Sequence, residues 1–224
     1  MQAALAREAA PPWATPTELA RVAGCFVCFE RGRSGPGAEG DPGWAAACLA
    51  TPSGESLGRV VQGAAGASYE PGMLALREGP MLEAALYALP EPPDLIVVNA
   101  TGRDHPRRAG LALHLGARLG IPSIGVTNRP LLADGEPPGD RRGSTSPLRI
   151  GSEVVAYWIT TRHRTRPLVA HAAWRTDPEQ AVEIVLSLTP RWRTPLPLRE
   201  ARQAARLART AAGAGEGQRI ADEP

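Results

Sequence analysis

Apolar and polar positions change rhythm several times along the chain, and each change predicts an element. Arg21 to Phe29 is apolar and rich in strand-forming residues, and reads as a strand. Glu30 to Gly43 is Gly-rich and charged, and reads as a loop. Trp44 to Ala50 and Ser56 to Gln62 predict two more strands, with Thr51-Pro52-Ser53-Gly54 as the turn between them. The period then becomes helical. Pro71-Gly72 opens a helix to about Leu89, with Leu74, Met81, Leu82, Ala85, Leu86 and Leu89 on one stripe. Leu95 to Val98 is a continuous apolar run, as expected of a strand buried on both faces. A second helix is predicted from Arg107 to Leu119, then a short strand from Ser123 to Val126. Residues 128–147 read as a long polar loop. Glu153 to Thr160 and Leu168 to His171 read as strands. Asp177-Pro178-Glu179-Gln180 has the cap, proline and glutamine of a helix start, and that helix runs to about Leu188. A last helix spans Leu198 to Ala211.

Three meander strands followed by alternating helices and strands predict an α/β domain. Its mixed central sheet combines antiparallel meander strands with parallel ones, flanked by helices. The domain is expected at residues 21–211. Residues 1–20, rich in Ala and Pro, are expected to be a flexible N-terminal segment, and residues 212–224 a disordered tail.

Composition narrows the classes. The chain has 224 residues, enough for a real core. No apolar run approaches the ~20 residues that span a bilayer, which excludes a membrane-spanning helix and predicts no membrane partner. The first residues lack the basic-then-apolar layout of a signal peptide, so a cytoplasmic protein is expected. Cys25, Cys28 and Cys48 are too few for a disulfide framework. Cys25 and Cys28 could form half a zinc site in a loop. Within a strand, residues three apart face opposite ways and do not share a metal. The net charge is +2, no footprint for general nucleic-acid binding. The chain contains no lysine: all 25 basic residues are arginine, a planar and permanently charged fork.

Several positions carry candidate chemistry. Glu78 falls on the apolar stripe of its helix, between Leu74 and Leu82, where a carboxylate needs a partner, a metal or water. Asn99 ends the buried strand, beyond which ligands bind in open α/β sheets. His105-Pro106-Arg107-Arg108 follows at a predicted helix start, a place suited to phosphate. His114 sits in an apolar helix and reads as a core histidine. Tyr69, in the turn Ser68-Tyr69-Glu70-Pro71-Gly72, can stack on a base. Arg199, Arg202, Arg206 and Arg209 lie on one helix face, either solvated or against a nucleic-acid backbone.

Together these residues resemble endonuclease V, the nuclease family that cuts next to deoxyinosine. The similarity runs from about Val22 to Leu207. It is strongest at Tyr69-Glu70-Pro71-Gly72 followed by Leu76-Arg77-Glu78-Gly79-Pro80, the family's wedge and its Arg-Glu motif. It continues through Asp94 to Gly110, with Gly102, His105, Pro106, Arg107 and Gly110 in register, and through Ile121 to Val126. The resemblance implies a ribonuclease H-like fold and a Mg²⁺- or Mn²⁺-dependent phosphodiester hydrolase of the DNA repair class. It also implies monomers acting on inosine-containing DNA or RNA. Tyr69, Pro71, Gly72, Gly102, His105 and Arg107 are the implied nucleic-acid-binding residues.

The catalytic positions depart from the family. Phe26 stands where the first-strand aspartate is expected, Asn99 where the second is, and Asn128 at the lysine. The late histidine falls at Trp174, three residues from His171. Glu78 is retained. Mg²⁺ is usually held by one or two carboxylates, so Glu78 with a neutral Asn99 predicts a weak metal site at best. The expectation is a degraded centre that binds rather than cleaves. Two alternatives remain: a working nuclease whose site is rearranged, for example around Glu30 or Asp104, and a non-enzymatic protein-interaction scaffold.

Overall fold

The computed structural model describes residues 2–8, 10–14, 21–31, 35–50 and 56–221. A short helix α1 (Gln2–Arg7) precedes three antiparallel strands, β1 (Val22–Phe29), β2 (Pro42–Ala50) and β3 (Ser56–Ala64). Helix α2 (Leu74–Tyr87), strand β4 (Leu95–Val98), helix α3 (Leu111–Leu119) and strand β5 (Ser123–Thr127) follow. An antiparallel group comes next: β6 (Thr145–Ile150), β7 (Glu153–Ile159) and β8 (Leu168–Ala172). Helices α4 (Pro178–Ser187) and α5 (Leu196–Ala221) complete the chain.

All eight strands form one sheet in the order β3-β2-β1-β4-β5-β8-β7-β6. β1, β4 and β5 run parallel at its centre, and the remaining pairings are antiparallel. This is the mixed α/β sheet that the pattern predicts. Every residue of β4 is buried, because helices cover both faces. Ala23, Cys25, Val27, Ile96 and Val98 pack with α2 and α3. Val22, Leu95 and Val97 face α4 and Leu198 of α5, while Cys28 packs against Ala201 and Ala205 of α5. Cys25 and Cys28 therefore lie in different layers. Helix α4 starts as its sequence predicts. Asp177 accepts the Gln180 N–H at 2.7 Å, and the Gln180 side chain accepts the Asp177 N–H at 3.1 Å. No helix of the described residues is long and apolar enough to cross a membrane.

Four expectations need correction. Residues 2–7 form a helix, and the Gln2 amide donates to the carbonyls of Gly72 and Ala109, so this part of the N-terminal segment is docked. The Trp13 N–H likewise donates to Arg175 O. Helix α5 continues past residue 211 to Ala221, where a tail was expected. Helix α3 starts at Leu111, not Arg107, because Arg108 takes φ 56° and breaks the helical path. The predicted loop 128–147 runs into strand β6, whose pattern hid it. β6 is the sheet edge, only Leu148 is buried, and Pro147 sits where an edge strand tolerates a missing N–H. The turn Thr51–Gly54 lies outside the described residues.

Candidate nucleic-acid interface and metal centre

The parallel strands β4 and β5 end side by side, and a cavity of about 360 Å³ opens beyond them. Asn99, Thr101, Thr127 and Asn128 line it from the strand ends, and Tyr69, Gly72 and Leu74 from the turn before α2. A smaller cavity of about 150 Å³ adjoins it. There Phe26 and Cys25 of β1, Glu78 of α2 and Asn99 come together. The fold thus collects Phe26, Glu78 and Asn99 at one place, as the resemblance requires, with Asn128 on the neighbouring wall.

The turn that carries Tyr69 is strongly braced. Arg77, 4% exposed, bridges it to the loop after β1. Its guanidinium donates to Ala38 O at 2.7 Å and Ala67 O at 3.0 Å, pairs with Asp41 at 2.8 Å, and lies over the Phe29 ring. Tyr69 N–H donates to Gly37 O, which leaves the Tyr69 ring exposed at the cavity. Gly72 has φ 79°, a left-handed backbone that suits glycine. Its carbonyl accepts from Arg107 Nη1 at 3.3 Å, and His105 hydrogen-bonds the same backbone. Burial pushes the His105 imidazole below its ordinary pKa, which favours the neutral ring.

The six expected binding residues therefore divide. Tyr69, Gly72 and His105 line the cavity, and Pro71 is exposed beside them. Arg107 is engaged with the turn. Gly102 is buried against β8, where an added Cβ would run into Ala172 O, so it serves packing. The helix-start argument for His105 and Arg107 fails, because both precede α3 by several residues.

Among the described residues the centre holds one carboxylate. Glu78 is partly buried, and burial raises its carboxyl to about 7, opposed by the charge of Arg77. Asn99 Oδ1 accepts a hydrogen bond from Arg202 Nη2 of α5 at 2.8 Å. The same guanidinium lies 5.3 Å from the Phe26 ring centre, and that of Arg206 lies 5.7 Å from it. Asn128 Oδ1 accepts from Arg193 Nη2 at 3.0 Å. The arginine face of α5 is thus laid against the sheet: Arg209 also donates to Phe29 O, while Arg199 stacks over Trp192. Sequence reasoning picked out Arg202 but missed Arg193, which lies in an irregular segment with no pattern to mark it.

Neither candidate for the late histidine opens on the cavity. Trp174 is packed in the α2–α3 core, and its backbone N–H donates to Ser123 Oγ. His171 is fully buried. Its Nε2 lies 2.8 Å from Thr127 Oγ1, and its Nδ1 lies 3.8 Å from Asp104. Burial lowers the His171 pKa to about 4, against the pull of Asp104. The acids considered as substitute ligands are placed elsewhere. Asp104 is buried and accepts the backbone N–H groups of Leu131, Leu132 and Ala133. Glu30 lines a different cavity with Arg31 and Arg209.

These donors do not fit a divalent cation. Among the described residues no three His, Cys, Asp or Glu side chains cluster as metal ligands. Phe26 offers a ring where an oxygen is needed. The carbonyl oxygen of Asn99 is directed at a guanidinium, and a second cation there is repelled. Two unit charges 4 Å apart near a protein surface repel by about 4 kcal/mol, and a divalent ion doubles that.

Residues 12–203 match the sequence pattern of the endonuclease V family, most of the chain. The chain belongs to that family. The family's Streptomyces avermitilis endonuclease V is 44% identical over 133 residues, 59% of this chain and 58% of that relative. The aligned stretch therefore spans less than two thirds of the relative's length. A crystal structure of the Streptomyces avermitilis endonuclease V superposes with a TM-score of 0.83 at 34% identity, covering 95% of this chain and 90% of that one. Ciona intestinalis endonuclease V, solved with a 24mer DNA containing an inosine followed by a ribo-adenosine, shares the fold. Its TM-score is 0.76 at 18% identity, with 94% and 95% of the two chains covered. The expected ribonuclease H-like fold is thereby established.

Proposed function

We propose that this protein binds inosine-containing strands of nucleic acid and does not cut them. The observation that carries this reading is the hydrogen bond from Arg202 to Asn99. It places a protein cation where the family's implied metal would need an oxygen, beside the apolar ring of Phe26. Hydrolysis of a phosphodiester at a metal centre needs an ion that activates water and steadies the leaving oxygen. Among the described residues Glu78 is the one carboxylate at the centre. The binding side rests on other residues: the exposed Tyr69 ring, the fixed Gly72 turn and the cavity of about 360 Å³. A base displaced from its strand can stack on Tyr69.

The test is a single-turnover incubation with Mg²⁺ or Mn²⁺, on a labelled deoxyinosine strand and its RNA counterpart. Bound fraction and product are read from the same samples. The expected result is salt-dependent binding without product. Product that disappears in Glu78→Gln would overturn the reading in favour of a nuclease with a rearranged site. No binding at low salt would overturn it in favour of a protein-interaction scaffold.

A further inference from the structure

We infer that Arg202 and Arg193, held by Asn99 and Asn128, form a phosphate site that works without a metal ion. The inference rests on the binding reading above and names the group such a strand brings to the crevice, a backbone phosphodiester.

The geometry is paired. Asn99 follows β4 and Asn128 follows β5, and these two strands are hydrogen-bonded neighbours. Each asparagine gives its side-chain carbonyl to one guanidinium, at 2.8 Å from Arg202 and 3.0 Å from Arg193. With Oδ1 so committed, each amide keeps its NH₂ donors for another acceptor. Arg193 is fixed further by donating to Arg166 O at 2.7 Å and Pro167 O at 3.0 Å. A guanidinium immobilised in this way loses little freedom when an anion arrives.

Compensating acid is missing. Among the described residues no carboxylate pairs with Arg202 or Arg193. Arg202 Nε is buried without a hydrogen-bond partner, a donor held away from water with nothing to receive it. The nearest charges make matters worse: Arg193 and Arg206 both disfavour the charge of Arg202, and Arg166 that of Arg193. Arg202 and Arg193, partly buried and with no paired carboxylate among the described residues, are costly unless an anion joins them. The fork of a guanidinium matches two oxygens of one phosphate, which a spherical metal ion or an ammonium does not. With no lysine in the chain, arginine is its one side chain of permanent positive charge.

The test uses the full chain in EDTA and, in parallel, in Mg²⁺. A fluorescent single-stranded DNA with one deoxyinosine is titrated by anisotropy over a range of salt. Wild type should bind equally with and without Mg²⁺. Arg202→Gln and Arg193→Gln should each weaken binding about tenfold. Each should also lower the slope of log affinity against log salt by about 0.7, the value for one phosphate contact on a single strand. Arg202→Lys should keep the slope but not the full affinity. Arg118→Gln, on the far face of α3, should match wild type. Binding that requires Mg²⁺ overturns the inference. So do Gln variants with wild-type affinity and slope, and both results leave the binding reading standing. A second measurement is independent of nucleic acid: inorganic pyrophosphate in EDTA should raise the Tm of wild type and not of Arg202→Gln. If the DNA does not bind but pyrophosphate gives this pattern, the binding reading falls and the phosphate site stands. If neither ligand acts, both fall.

Discussion

The rim and the centre of the crevice are built to different standards. At the rim, the turn around Tyr69 is fixed from several sides: the buried Arg77–Asp41 pair, the Tyr69–Gly37 hydrogen bond, and the Arg107 and Gln2 contacts to Gly72 O. Among the described residues no buried side-chain polar atom of that turn lacks a partner. At the centre, Glu78 has a raised pKa, Arg202 Nε has no partner, and Phe26 presents a ring. The difference teaches that the residues that hold the rim are not those gathered at the centre. Clustered carboxylates repel one another, so under the proposed reading Phe26 and Asn99 in place of two of them relieve strain rather than create it. The proposed function depends on this separation, because a surface held by one set of residues does not need the chemistry of the other.

That contrast breaks first at Arg77. Arg77→Met keeps the length of the side chain and removes an ion pair and two hydrogen bonds to carbonyls in a buried place. Breaking a buried pair costs about 3–5 kcal/mol. The midpoint of urea unfolding should fall accordingly, and the turn that presents Tyr69 should loosen with it. A variant as stable as wild type would show that the rim is not the rigid half of the crevice. Tyr69→Ala is the next largest change, and it sharpens the contrast from the ligand's side. Its ring is 44% exposed, so stability should hold while affinity for the deoxyinosine strand drops. Stacking of one base on an aromatic ring is worth about 1–3 kcal/mol, roughly ten- to a hundredfold in Kd. Equal affinity of the variant would remove Tyr69 from the binding surface.

Much of this was legible in the sequence, and the exceptions have physical causes. β4 shows itself as four apolar residues in a row because both its faces are covered. α4 declares its start because its cap is made of residues three apart. Local signals of that sort are printed along the chain. β6 left none, since an edge strand with one buried side chain does not alternate. The false start of α3 came from taking His105-Pro106-Arg107-Arg108 as a helix start, when Arg108 turns the chain the other way. The site divides likewise. Glu78, Asn99 and Tyr69 are found by their place on a stripe, a strand end and a turn. The partnership of Asn99 with Arg202 spans 103 positions, and that of Asn128 with Arg193 spans 65. No periodicity encodes such contacts; only the packing of α5 and its preceding segment against the strand ends brings them about.

The smallest expected effect tests whether the centre is free of metal in solution. Glu78 titrates near 7 in the folded protein and near 4.5 in the unfolded chain, because burial disfavours its anion. Below about pH 4.5 both states hold the proton and the group costs nothing. As pH rises from 4.5 to 7 the unfolded chain ionises first, so the folded state loses stability, and above 7 the loss stays constant. Glu78→Gln has no proton to lose. Its Tm should equal that of wild type near pH 3 and exceed it near pH 8. A shift from 4.5 to about 7 is worth about 3 kcal/mol. Water at the partly exposed carboxyl screens this to the ~1 kcal/mol that moves the Tm of a domain of this size by about 2–4 °C. A divalent ion seated beside Glu78 would favour the carboxylate and reverse the sign. Adding Mg²⁺ near pH 8 would then raise the Tm of wild type above that of the variant. With Arg202 already bound to Asn99, the expected result is that Mg²⁺ moves neither curve. The Gln variant then stays the more stable of the two.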